Sequence, residues 1–178
     1  MDKKNPLDGK HNIFLTGFAG TGKTYLINRY IEEHEGRVLL CAPTGTAAAN
    51  IGGVTMHKLF GIPVPAYGAK PKTTKEILTN FACADTLIID EISMASAPMF
   101  SYAMQVLKLA KRATGKKIRL IVVGDFSQLP PVVTKTEEKY YKKYGFDKSG
   151  FCFTTKEWAD CKFKTASVGS KKTVKKVK

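Results

Sequence analysis

Short apolar runs alternate along the chain with stretches whose apolar positions recur every three or four residues. Residues 12–16 (NIFLT) form the first run and end at a glycine turn. Beyond it, Leu26, Ile27, Tyr30 and Ile31 fall on one face of a helix that Gly36 is placed to end. Residues 37–42 (RVLLCA) read as a second buried strand, 43–45 as a loop and 46–51 as a short helix. Residues 61–75 hold three prolines, two glycines and three lysines, which predicts an exposed excursion. Residues 86–89 (TLII) form a third strand. Met99, Phe100, Ala103, Met104, Leu107 and Ala110 then mark an amphipathic helix, with Ser96 as N-cap and Gly115 past its end. Residues 118–123 (IRLIVV) are a fourth strand. Strands that are apolar throughout and alternate with helices predict an α/β fold, a parallel sheet covered on both faces. No internal repeat is visible.

After Pro131 the pattern weakens. Residues 139–146 (KYYKKYGF) mix aromatics with lysines; such a mixture either stacks bases and holds phosphates or serves as core or lid. Residues 151–153 (FCF) read as a short strand, followed by a helical turn around Trp158.

Composition narrows the classes. The 178 residues fit one domain, and 43% hydrophobic content is enough for a core. No apolar run approaches the ~20 residues of a membrane helix, and the N-terminus lacks the apolar stretch of a secretory signal. The expected setting is intracellular: nucleus or mitochondrion in a eukaryote, cytoplasm in a bacterium or for a virus. Cys41, Cys83, Cys152 and Cys161 show no paired spacing, as for scattered reduced thiols rather than zinc ligands or disulfides.

The net charge is +14, and residues 161–178 hold seven lysines and no acid. Both the tail and the rest of the chain are therefore basic, which suits a polyanionic partner. The tail alone also reads as a solvated, disordered end. The expected organisation is a lead at 1–10, one lobe at 11–160 and a basic tail at 161–178.

Three elements carry chemistry. Gly17-Phe18-Ala19-Gly20-Thr21-Gly22-Lys23-Thr24 fits the phosphate-loop pattern G-x-x-x-x-G-K-[ST], set between a strand and a helix. Its glycines let successive N–H groups converge on one phosphate, and the helix that follows favours an anion at its N-terminus. Lys23 supplies a point charge for the β/γ-phosphates, and the Thr24 hydroxyl is a ligand for Mg²⁺. Asp90 and Glu91 follow the third strand at the end that faces the ligand crevice of a parallel sheet. Asp90 can hold Mg²⁺, directly or through a water, and Glu91 is the residue to orient and deprotonate an attacking water. The fourth strand ends at Gly124 and delivers Gln128, donor and acceptor at once, to sense the γ-phosphate or that water.

Four stretches in order, FLTGFAGTGKT (14–24), CAPTGTAAANIGGVTMHKLFGIP (41–63), TLIIDEISM (86–94) and VVGDFSQLPPV (122–132), resemble the PIF-type DNA helicases. These are the 5′-to-3′ branch of superfamily 1 that includes RecD-like enzymes; FCFTTKEW (151–158) is a weaker match. The resemblance spans residues 11–160. It implies a RecA-like P-loop NTPase lobe of a motor that hydrolyses ATP with Mg²⁺, moves along single-stranded DNA and serves replication, repair, recombination and telomere maintenance. Carried over by position, Lys23, Glu91 and Gln128 are catalytic, residues 17–24 bind ATP, and Thr24 and Asp90 bind the metal. Thr44, Thr55, His57, Lys58 and Phe60 fall in stretches that resemble the DNA-facing surface of the family. Hydroxyls and Lys58 suit phosphates, and Phe60 suits stacking or wedging, with packing as the alternative for His57 and Phe60.

The family carries a glutamine-bearing adenine-reading segment before the phosphate loop, whereas the glutamines here are Gln105 and Gln128. It also has a second RecA-like lobe that supplies an arginine to the γ-phosphate. Arg29, Arg37, Arg112 and Arg119 lie in no matching motif. An arginine finger is worth roughly 10³–10⁵ in rate, so the chain by itself is expected to bind nucleotide, hydrolyse slowly and unwind poorly. Two other classes fit less of the sequence: an ATP- and DNA-binding module without efficient turnover, and a P-loop ATPase with no nucleic-acid role.

Overall fold

A computed structural model describes residues 5–128 and 130–169. Its centre is a six-stranded sheet of β1 (Ile13–Thr16), β2 (Val38–Ala42), β3 (Val54–Thr55), β4 (Thr86–Ile89), β5 (Arg119–Val123) and β6 (Lys164–Ser167), in the order β3-β2-β4-β5-β1-β6. Every neighbouring pair is parallel. Since successive strand residues face opposite ways, the apolar runs feed two cores. Leu87, Ile89, Leu120 and Val122 point into one, with Phe60, Phe81 and Phe100; Ile88, Ile121 and Val123 point into the other, with Leu15, Ile27 and Tyr30. Each such side chain contributes about 1.5–3 kcal/mol when fully buried, which is why these strands contain almost no polar residue.

Helices cover both faces. α1 (Lys23–Glu33) buries Ile27 and Tyr30 in the second core. The first core is closed by α3 (Met56–Phe60), α4 (Lys75–Cys83), α5 (Ala97–Thr114) and α7 (Lys156–Cys161), while α2 (Gly45–Asn50) packs beside β2 and β3. The caps of α5 are as expected: the Ser96 hydroxyl accepts from the Met99 amide, and Gly115 closes the helix at φ 72°. α1 ends differently, at His34 in extended conformation. Gly36 sits in a tight spot: a Cβ there would lie 2.8 Å from both Asp85 Oδ2 and His34 Nε2, so those side-chain ends would have to shift.

Several elements depart from the sequence pattern. α3 and α4 are too short for a clear period, yet each is fixed by a threonine N-cap, Thr55 accepting from Lys58 N and Thr74 from Ile77 N. α6 (Lys135–Tyr144) has one buried residue, Tyr141, and owes its start to a reciprocal capping box between Thr134 and Glu137. The expected strand at 151–153 is a 3₁₀ turn over Cys152–Thr154, which buries Cys152 against the Ile92 carbonyl. The lobe does not stop at residue 160. β6 adds to the free edge of β1, pairing Ile13 with Lys164 through Thr16 with Ser167. As a largely exposed edge strand of Lys, Thr, Ala and Ser, it shows no apolar alternation to read. The remaining tail, 170–178, lies outside the described residues. No helix among the described residues is long and apolar enough to cross a membrane.

Candidate nucleotide and nucleic-acid site

β4, β5 and β1 are adjacent, so their carboxyl ends bring the three chemical elements to one edge of the sheet. After β1 the chain curls through Gly17 (φ 153°), Gly20 (φ 73°) and Gly22 (φ 91°), the last serving as N-cap of α1. Lys23 folds back across this loop, its Nζ donating to Gly17 O at 2.6 Å and Phe18 O at 3.0 Å. The Thr21 hydroxyl braces the loop by donating to Phe18 O at 2.7 Å. Thr24 is exposed in the first turn of α1.

β4 ends in the Asp90–Glu91 pair. The Asp90 amide donates to Cys41 O, and its Oδ1 accepts the Glu91 amide at 2.9 Å. Glu91 has left-handed backbone, φ 50° and ψ 42°, a conformation that costs an L-residue of this kind roughly 1–2 kcal/mol. The bend diverts Glu91 from the line of the strand, so two consecutive carboxylates serve different directions. Burial pushes the Asp90 carboxyl up, opposed by the Glu91 amide and the Lys23 charge. Glu91 is also raised, first by burial and then by the Asp90 charge, with Lys23 opposing.

The loop after β5 closes the cluster. Gly124 packs against the Glu91–Ser93 turn: a Cβ there would lie 3.0–3.2 Å from Ile92 Cγ2, Ile92 N and Ser93 N. Asp125, absent from the sequence-derived site, organises the loop. Its Oδ1 accepts the Ser127 hydroxyl at 2.6 Å and the Ser127 amide at 2.9 Å, while Oδ2 accepts Gln128 Nε2 at 3.3 Å. The Ser127 bonds, hydroxyl first, hold its carboxyl below the usual range, with Gln128 and Lys23 adding to them. The Asp-x-Ser spacing of an Asx turn was the available sequence signal. Gln128 is thus exposed and aimed by Asp125, within one loop of the acidic pair.

A second unread contact comes from the end of β6. A Cβ on Gly17 would lie 2.5 Å from Val168 O, and one on Gly169 would lie 2.8 Å from Thr21 Cγ2. The residues after β6 therefore form a wall of the phosphate loop.

The nucleic-acid candidates divide. Thr44 and Thr55 follow β2 and end β3 on the same edge, each hydroxyl accepting a helix amide, Ala47 N at 3.3 Å and Lys58 N at 3.2 Å. Lys58 is exposed and His57 half-buried. Phe60 is not available for stacking on a base: it is 0% exposed and packs on Phe81 with ring centroids 5.4 Å apart. The aromatic–basic stretch on α6 is mixed. Tyr141 is buried, whereas Tyr140 and Tyr144 stay partly exposed and stack on Tyr67 of the 61–74 excursion.

The four cysteines are free; burial pushes Cys152 up to about 12 and Cys161 up to about 11. Among the described residues no three His, Cys, Asp or Glu side chains form a metal cluster. Arg119 is at the opposite edge of the sheet, donating to Leu7 O, His11 O and Tyr30 Oη.

A family model described as PIF1-like helicase matches residues 4–165. The chain is 38% identical over 165 residues to the ATP-dependent DNA helicase PIF1 of Danio rerio, covering 87% of this chain and 24% of that protein. Among solved structures, Bacteroides Pif1 bound to ssDNA superposes with a TM-score of 0.77 at 32% identity, over 89% of this chain and 38% of that one. Bacteroides sp Pif1 in complex with ADP-AlF4 gives a TM-score of 0.77 at 31% identity, again over 89% and 38%. The chain therefore spans about a quarter of the length of the curated relative and under half of each solved chain.

Proposed function

From a chain that belongs to the PIF1-like helicase family, we propose the first nucleotide-binding lobe of a motor that couples ATP hydrolysis to 5′-to-3′ movement on single-stranded DNA. The observation that carries this reading is the convergence of Lys23, Asp90, Glu91 and an Asp125-held Gln128 at the carboxyl ends of three adjacent parallel strands.

Residues 17–24 wrap the triphosphate tail with backbone N–H groups and the α1 N-terminus. Lys23 exchanges two loop carbonyls for phosphate oxygens, a charge-assisted bond of about 1.5–3 kcal/mol. The donor set suits Mg²⁺: the Thr24 hydroxyl and the Asp90 carboxylate, both hard oxygens, would hold it. Held there, Mg²⁺ would supply positive charge against the triphosphate. Glu91, turned away from Asp90, takes the proton of the attacking water, and its raised pKa makes it a better base than an ordinary carboxylate. Gln128 contacts the γ-phosphate or that water and transmits its state through the Asp125 loop. Thr44, Thr55, His57 and Lys58 hold the DNA backbone. Work in repair, recombination and telomere maintenance belongs to the same reading, in any compartment that holds DNA.

A second lobe, in cis or in trans, supplies the arginine that this lobe lacks, since Arg119 is committed far from the phosphates. The chain alone is a nucleotide and DNA binder with slow turnover. The test is phosphate release with and without single-stranded DNA. Glu91→Gln should cut turnover about 10²–10⁴-fold while leaving nucleotide affinity in place, and Lys23→Ala should weaken affinity itself by about 10–100-fold. Equal turnover in wild type and both variants would refute the enzymatic assignment.

A further inference from the structure

A groove of about 800 Å³ lies far from the nucleotide edge, where the carboxyl-terminal half of α5 faces α7 and the chain entering β5. Asn12, Ile118 and Leu120 in its wall mark the amino-terminal edge of the sheet, opposite the phosphate loop. Nothing in the proposed ATP or DNA chemistry uses this face.

Its lining combines two properties. The floor is apolar, built from Met104, Leu107, Ile118 and Cys161. The rim is basic: Lys108, Lys111, Arg112, Lys116, Lys117 and Lys156, against the two acids Glu157 and Asp160. Internal pairing answers little of this charge. Lys116 is bridged to Asp85 at 2.9 Å, and Glu157 accepts from Gln105 at 3.2 Å. Lys111 and Arg112 also answer the partial negative charge at the end of α5, but that leaves cations on both sides of the groove.

The ligand must then be anionic and partly apolar. A free nucleotide is a poor fit, because the wall offers no glycine-rich loop for a phosphate and the short first turn of α7 that borders it carries the Glu157 carboxylate. Single-stranded nucleic acid asks for exposed aromatic faces; Phe81, the aromatic of this wall, is 1% exposed. We propose that the groove docks an acidic peptide segment of a partner protein, one whose Leu-like side chains fill the floor while its carboxylates meet the lysine rim. Charge complementarity sets the partner's sign, and the apolar floor sets its side-chain spacing, as for an amphipathic helix laid in a groove.

The test uses the full chain and a fluorescein-labelled peptide of about 12 residues carrying Leu at i, i+4 and i+7 among glutamates. Fluorescence anisotropy should show saturable binding that falls about tenfold or more in a Lys108→Glu, Lys111→Glu, Arg112→Glu variant. A Lys117→Glu, Lys156→Glu variant, altered on the facing rim, should lose affinity likewise and stands in if the first variant does not fold. Replacing every peptide Leu by Ser should weaken binding to the same degree. Three results overturn the proposal: unchanged affinity in both rim variants, equal affinity for the Leu-free peptide, or displacement of the peptide by oligothymidylate, which would assign the groove to nucleic acid.

Discussion

Asp90 and Glu91 are both buried enough to be raised above ordinary carboxylates, so each is held at a cost to folding. A carboxyl whose folded pKa is raised contributes nothing below the unfolded value of about 4 and destabilises as pH climbs through and beyond it. Asp90→Asn keeps an oxygen for the Glu91 amide and removes the buried charge. In the absence of nucleotide it should therefore melt higher than wild type at pH 7, and the gap should close below about pH 4. Differential scanning calorimetry at the two pH values checks this; a lower melting temperature at pH 7 would show that Asp90 is structural. Phe60 makes the opposite case. As a fully buried ring against Phe81, its replacement by Ala should cost about 3–5 kcal/mol in urea unfolding and leave DNA affinity of the folded protein unchanged. The sequence placed Phe60 next to Lys58 and His57 but could not tell which side of a five-residue helix it occupies. The residues proposed for the nucleotide site stood out in the sequence because each suits a task that few residue types can do. Asp125 was not, since it acts through Ser127 and Gln128 rather than on a phosphate.

At the scale of elements, β1, β2, β4 and β5 were legible as short continuous apolar runs, and α5 by its helical period and explicit caps. α4 and α6 were not, because their buried faces are narrow, Ile77 with Phe81 on one and Tyr141 on the other, although Thr74 and the Thr134–Glu137 capping box mark their starts. β6 escaped for a different reason. It is held by backbone pairing with β1 and by Val168 N donating to Thr16 O, with Ala166 and Val168 the apolar side chains it adds to the second core. Ending the chain at Cys161 should therefore destabilise the lobe by roughly 2–4 kcal/mol, a few backbone hydrogen bonds' worth, relative to a chain ended at Gly169. It should also weaken nucleotide binding, because Val168 walls Gly17. Chemical denaturation of the two truncations decides it, and coincident curves would mean that β6 is not integral to the sheet.

The whole molecule joins two faces with different chemistry. One edge of the sheet gathers the phosphate loop, the acidic pair and the Gln128 loop; the other carries Arg119 and the basic groove. A parallel sheet makes this separation natural, since all strands end on the same side. The central claim is that the first edge grips a nucleotide triphosphate through Lys23. Isothermal titration calorimetry of the chain with ATP·Mg²⁺ tests it most directly. Saturable one-to-one binding that weakens about 10–100-fold in Lys23→Ala is the expected result; a folded wild-type chain that gives no binding heat at millimolar nucleotide, and no thermal stabilisation by it, would contradict the account.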